Sequence, residues 1–103
     1  MKDQYRQGDV LLIKVGQLPP GSAKEEAADH RIVLAWGEVT GHAHSVSAAT
    51  ATYYKFGGGN YLQVHEDTKL VHEEHRAIDL PAGVYKIVLQ REYFPAGNRV
   101  VVD

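Results

Sequence analysis

Two short stretches of this 103-residue chain carry side chains that could do chemistry together. The first is Gly37-Glu38-Val39-Thr40-Gly41-His42-Ala43-His44, which places two imidazoles two residues apart in a segment without helical character. In an extended strand, side chains at i and i+2 point to the same face. His42 and His44 are therefore expected to project together, with Thr40 and Val46, from a strand over Val39–Ser47. The second stretch is His72-Glu73-Glu74-His75. Imidazole suits zinc, iron, manganese and nickel, and carboxylates favour the harder ions. The two stretches are expected to meet and bind a divalent metal ion through His42, His44, His72 and His75, with Glu73 or Glu74 as the carboxylate. His72 and His75 face opposite ways in a straight strand, so both can reach one ion only if a turn or bulge intervenes. Two or three imidazoles and one carboxylate would leave coordination positions open, which marks a reactive site rather than a closed structural one. Glu38 is placed to orient an imidazole from behind. No catalytic role can be given to any one residue, and the substrate, if there is one, is expected to be a small molecule.

Such convergence needs a curved scaffold of strands, and the chain reads that way. Val10–Val15 is apolar on both faces and Arg31–Trp36 is rich in β-branched and aromatic residues, as buried strands are. Thr52–Phe56 and Tyr61–His65 flank Gly57-Gly58-Gly59-Asn60 as the arms of a hairpin. Lys69–His72 and Ala77–Leu80 are short strands, with Glu73 to Arg76 too polar to be buried. Val84 to Phe94 alternates, with Tyr85, Ile87, Leu89 and Tyr93 on one face, and Arg99–Asp103 forms a last strand. Arg6 to Asp9 reads as a turn, and Ser22 to Asp29 as an exposed connection. Turn signals between short strands, with no long amphipathic helix, predict an all-β fold of about eight antiparallel strands in a small barrel or jelly roll. Residues 1–103 are expected to form a single β domain.

Composition narrows the function. The formal charge is −2 and the pI about 6.3, so there is no broad basic surface for a nucleic-acid backbone. There is no cysteine, which excludes disulfides, thiolate metal sites and cysteine nucleophiles. No stretch resembles a signal peptide or approaches membrane-spanning length, so a soluble cytoplasmic protein is expected. The six histidines are clustered, four of them lying in the two stretches above, and it is the clustering that points to a site. Ser22, Ser45 and Ser47 lack the context of a hydrolase nucleophile. The three glycines at 57–59 precede a strand rather than a helix, so they form a turn and not a phosphate cradle.

A second class of function competes: a non-enzymatic binding or assembly module whose histidines are incidental. Tyr53, Tyr54, Phe56 and Tyr61 around the hairpin, with Trp36, could stack bases of an oligonucleotide or meet a second subunit in a homodimer. Clustered imidazoles could also act as a pH switch.

Gly37, His42 and His44, spaced G-x4-H-x-H, resemble the first half of the cupin pattern, and Pro81-Ala82-Gly83 is similar to the P-x-G of its second half. The resemblance implies a double-stranded β-helix holding a metal inside the barrel, usually by three histidines and one glutamate. It carries over to His42 and His44 alone: no glutamate follows His44 at the usual distance, Tyr85 stands where the second motif places its histidine, and His72 and His75 precede the P-x-G. The chain as a whole also resembles short uncharacterised proteins of bacterial and phage genomes.

Overall fold

The computed structural model describes residues 3–27, 29–37 and 41–90. Among these it contains ten strands and no helix: β1 (Gln4–Gln7), β2 (Val10–Val15), β3 (Ala23–Glu25), β4 (Arg31–Trp36), β5 (Ala43–Ser47), β6 (Ala51–Phe56), β7 (Gly59–Val64), β8 (Thr68–His72), β9 (His75–Leu80) and β10 (Gly83–Leu89). All pairings are antiparallel. Six strands form one sheet in the order β1-β2-β10-β7-β6-β3, and four form a second in the order β4-β5-β8-β9. The all-β expectation holds, but the sheets do not close into a barrel. No helix among the described residues is long and apolar enough to cross a membrane.

The core lies between the sheets because each presents one apolar face. Val10 and Leu12 of β2, Leu62 and Val64 of β7, and Tyr85 and Ile87 of β10 meet Ile32, Leu34, Val46, Leu70 and Leu80 of the other sheet. Each fully buried leucine contributes about 1.5–3 kcal/mol relative to exposure. β2 and β10 sit inside the six-stranded sheet, which explains why β2 is apolar on both faces: Leu11 is buried as well as Val10 and Leu12. Tyr85 meets Tyr5 edge-on, with ring centres 5.8 Å apart, and its hydroxyl donates to the Pro81 carbonyl at 2.6 Å.

The local structure departs from the sequence reading in several places. Residues 4–7 form a strand rather than leading into a turn: Tyr5 and Gln7 are buried while Gln4 and Arg6 are exposed, and only Gly8 and Asp9 turn the chain. The exposed connection after Ser22 contains an edge strand, β3, which takes its hydrogen bonds from β6. Strand β5 starts at Ala43, not Val39; Gly41 has φ +86°, and the Gly37 N–H donates to the His42 carbonyl at 2.8 Å, so His42 belongs to the connection before the strand. β7 ends at Val64, leaving His65 outside it. β9 begins two residues earlier than expected, at His75. Leu89, placed on the core face by alternation, is 45% exposed at the end of β10. The expected continuation of that strand over 91–94, the strand at Arg99–Asp103, and Glu38, Val39 and Thr40 lie outside the described residues.

Candidate metal centre

His44 follows from the alternation of β5. It shares a face with Val46, which is in the core, so its ring turns inward and is buried. His72 and His75 follow from the hairpin of β8 and β9. The turn between them is only Glu73-Glu74, so residues three apart in sequence become cross-strand partners. Cross-strand partners share a face. One further device is needed, because Leu70 pairs with Ile78 and the next paired residues are His72 and His75. Two steps on β8 match three on β9, a bulge that re-aims the end of the hairpin.

The result is a group of three imidazoles. Ring centres are 4.3 Å apart for His44 and His72, 4.6 Å for His72 and His75, and 5.5 Å for His44 and His75. One nitrogen from each lies within 4.8 Å of the others. Donors of a tetrahedral ion with bonds of about 2.0–2.1 Å sit ~3.4 Å apart, so taking up an ion would draw in any pair that stands wider than this. Burial is graded from buried His44 through half-buried His72 to exposed His75.

His44 is held by Gln7, which is 3% exposed. The Gln7 amide nitrogen donates to the carbonyls of Leu70 at 3.0 Å and Arg76 at 2.9 Å, at the bulge where the β8–β9 ladder is interrupted. Its Oε1 lies 2.9 Å from His44 Nδ1. Flipping the amide would set an oxygen against two carbonyl oxygens, so the orientation is fixed. An amide oxygen only accepts, so His44 Nδ1 carries the proton and neutral His44 keeps its lone pair at Nε2. Outer hydrogen bonds of this kind set the tautomer of metal-binding histidines. His44 Nε2 in turn lies 3.5 Å from Asp9 Oδ1.

His72 is less prepared. Its Nδ1 accepts the Glu74 N–H at 2.9 Å, so binding an ion through this ring displaces that bond or moves the ring proton. His75 and His44 pack against Gly8, where a Cβ would come within 2.9 Å of His75 Nε2 and 3.1 Å of His44 Cε1. A Cβ on Gly37 would stand 3.0 Å from His72 Nε2.

The remaining residues expected at the site are placed around its rim. His42 does not join the group of three: its ring stands edge-on to His72 with centres 5.9 Å apart. Its buried Nδ1 is 3.3 Å from Glu74 Oε2, near enough for an ion pair, but makes no hydrogen bond among the described residues. Glu73 Oε1 accepts the Ala43 N–H at 2.9 Å. That bond, followed by one from its own N–H, holds the Glu73 carboxyl below the usual carboxylate range. Both glutamates thus have partners where the chain enters β5, Glu73 at Ala43 and Glu74 at His42 just before it. The other two histidines are elsewhere: His30 Nδ1 is 2.8 Å from Asp29 Oδ1, and His65 Nε2 is 2.7 Å from Thr52 Oγ1.

One family profile covers residues 6–90, a span holding Gln7, Asp9 and the three clustered histidines. The chain belongs to the family described as Domain of unknown function (DUF8820). No curated protein and no solved structure matches it.

Two residues of this DUF8820 domain that sequence reasoning missed are Gln7 and Asp9. The available signal was Gly8-Asp9 followed by an apolar run, which is a two-residue hairpin turn and makes Gln7 the strand partner of Val10. Cavities flank the four-stranded sheet. One of about 230 Å³ reaches the site, with His72 and Glu73 in its wall and Arg31, Ala43, Ser45 and Val71 beside them. A larger one, about 410 Å³, lies between β3 and β4, with no histidine among the described residues that line it.

Proposed function

We propose that this domain binds one divalent transition-metal ion through His44, His72 and His75, with His42 and Glu74 at the rim. The observation that supports it most is the group of three imidazoles itself, with one nitrogen of each within 4.8 Å of the others and His44 held at Nδ1 by Gln7 Oε1 at 2.9 Å. The donor chemistry suits zinc, iron, manganese or nickel. When bound, such an ion would supply a Lewis acid able to polarise a carbonyl or phosphoryl oxygen. The cavity bordered by His72 and Arg31 offers a small-molecule substrate a place beside it. Of the cupin-like idea of a metal inside a barrel this keeps the strand-borne histidines but not the closed barrel, with the β8–β9 hairpin supplying donors in place of the second motif.

The test is the metal content of protein purified without a histidine tag. The expected result is a stoichiometric transition metal, or its uptake on titration, lost in His44→Ala, and a melting temperature lowered by chelation. Protein without metal, unable to take it up and indifferent to chelator, would end the reading.

A second reading, a binding or assembly module, is favoured by Trp36. It is 56% exposed, with the Arg31 guanidinium 5.9 Å from its ring centre, at the wall of the larger cavity. Loss of self-association in Trp36→Ala, with metal content unchanged, would support that role. The stacking idea is weakened by Tyr53, which packs against the core.

A further inference from the structure

We infer that the cavity of about 410 Å³ between β3 and β4 binds a small organic cation, a flat aromatic ring carrying a protonated amine. The inference is independent of the metal reading. It starts from the way the two sheets are closed. β1 and β9 are the last strands of the two sheets on one side, and there Gln7 ties β1 to the carbonyls of Leu70 and Arg76. β3 and β4 are the last strands on the other side, and there the sheets leave the cavity between them. Its size falls in the range of roughly 300–1,000 Å³ that takes small ligands. Two aromatic rings in its wall suit a flat guest. Tyr53 comes from β6 and packs against the core, which holds its ring in place. Trp36 comes from the end of β4. The bulge between Val33 and Ala35 buries Leu34 and Ala35 in succession, so the alternation slips and Trp36 is turned outward. Ile32 and Val33 add apolar surface.

The charged residues of the lining decide the sign of the guest. Glu25, Glu26 and Asp29 stand against Arg31 and Lys55, so the lining is net negative. Arg31 is engaged within the chain. Its guanidinium lies 5.9 Å from the Trp36 ring centre and, after the bonds from His30, helps to hold the Asp29 carboxyl below the usual carboxylate range. Glu25 is the cross-strand partner of Tyr53, so the two side chains share a face. Burial first, and this carboxylate second, push the Tyr53 phenol above its ordinary value. An ammonium placed beside Glu25 meets its charge, and the faces of the two rings favour a cation as well. An anion in the same place is repelled by Glu25 and gains nothing from the rings. The apolar and aromatic walls take the body of the ligand, and the carboxylate takes its amine.

The experiment titrates wild type and Glu25→Gln with three probes that share one ring: tyramine, which carries the amine, para-hydroxyphenylacetate, which carries a carboxylate, and para-cresol, which carries neither. Trp36 is the only tryptophan of the chain, so its emission reports on this cavity, and calorimetry gives the affinities. Tyramine is expected to shift the emission saturably and to bind about tenfold more tightly than para-hydroxyphenylacetate. Glu25→Gln should weaken tyramine by roughly twofold to fivefold and leave para-cresol unchanged. Added salt should weaken tyramine in wild type, because it screens exposed charges, and spare para-cresol. No saturable response to tyramine, or equal binding of the amine and the acid, would overturn the inference. So would a Glu25→Gln protein, folded by its melting curve, that binds tyramine like wild type. If that variant fails to fold, the salt dependence of wild type decides: tyramine binding indifferent to salt overturns the inference. An emission change that follows protein concentration instead of tyramine would seat a second copy against Trp36 and overturn it as well.

Discussion

Gln7 and His44 come from different sheets and share a 2.9 Å hydrogen bond, while the same glutamine amide donates to two carbonyls at the β8–β9 bulge. One buried side chain therefore closes an irregular ladder and chooses the tautomer of a neighbouring imidazole.

Replacing Gln7 separates these two duties. Gln7→Leu removes both donors and the acceptor, and leaving buried polar groups unpaired costs about 1–3 kcal/mol. Metal affinity is expected to fall about 10–100-fold with the loss of the outer hydrogen bond. Gln7→Glu keeps an acceptor for His44 but cannot donate to the Leu70 and Arg76 carbonyls. It should be destabilised and yet hold metal better than Gln7→Leu. Urea unfolding and calorimetric titration measure the two effects; equal affinities in the two variants would dissociate Gln7 from the site.

Gly8→Ala should harm both stability and the site. A left-handed backbone costs a residue with a Cβ about 1–2 kcal/mol. That Cβ would also stand 2.9 Å from His75 Nε2 and push the exposed ring outward. Gly8→Asn tolerates the backbone better but brings the same Cβ. The expected pattern is lowered metal affinity in both variants, with Asn the more stable, read from melting curves and titrations.

His42 and His44 are expected to behave differently despite their shared motif. His42→Ala removes a ring outside the group of three and should leave Zn(II) binding within a fewfold of wild type. His44→Ala removes the buried donor and should abolish it. Titration of the two single variants checks this, and matching losses would place His42 among the ligands.

Tyr85 makes stability depend on alkaline pH. Burial first, then Tyr5 and Asp67, pushes its phenol from 10.0 up to about 12. The folded state thus holds the proton more tightly than the unfolded state. Its contribution is fully present below pH 10 and is lost as pH rises toward about 12. Urea midpoints recorded from pH 8 upward should be level with respect to this group and then decline, and Tyr85→Phe should flatten the decline. A Tyr85 that ionises near the ordinary value of 10.0, seen by tyrosinate absorbance, would contradict this.

The sequence by itself determined the strand content and where the ligand-type side chains cluster. The apolar run at Val10–Val15, the alternation through Tyr85 and Ile87, and the glycines at 57–58 are local signals that follow from the period of a strand and the backbone freedom of a turn. The clustering of four histidines in two short stretches needs no structure to be seen. Tertiary structure alone decided β1 and β3, because their polar residues give no apolar signature and their pairing is supplied by β2 and β6. It also decided which histidines meet. A shift of one residue turns a side chain to the other face of a sheet. The bulge in the β8–β9 hairpin sets His75 beside His72, while the start of β5 at Ala43 leaves His42 outside. Gln7 and Asp9 join His44 only because two sheets, distant in sequence, pack at that end. No residue type or spacing along the chain encodes that distance, which belongs to the packing between the sheets.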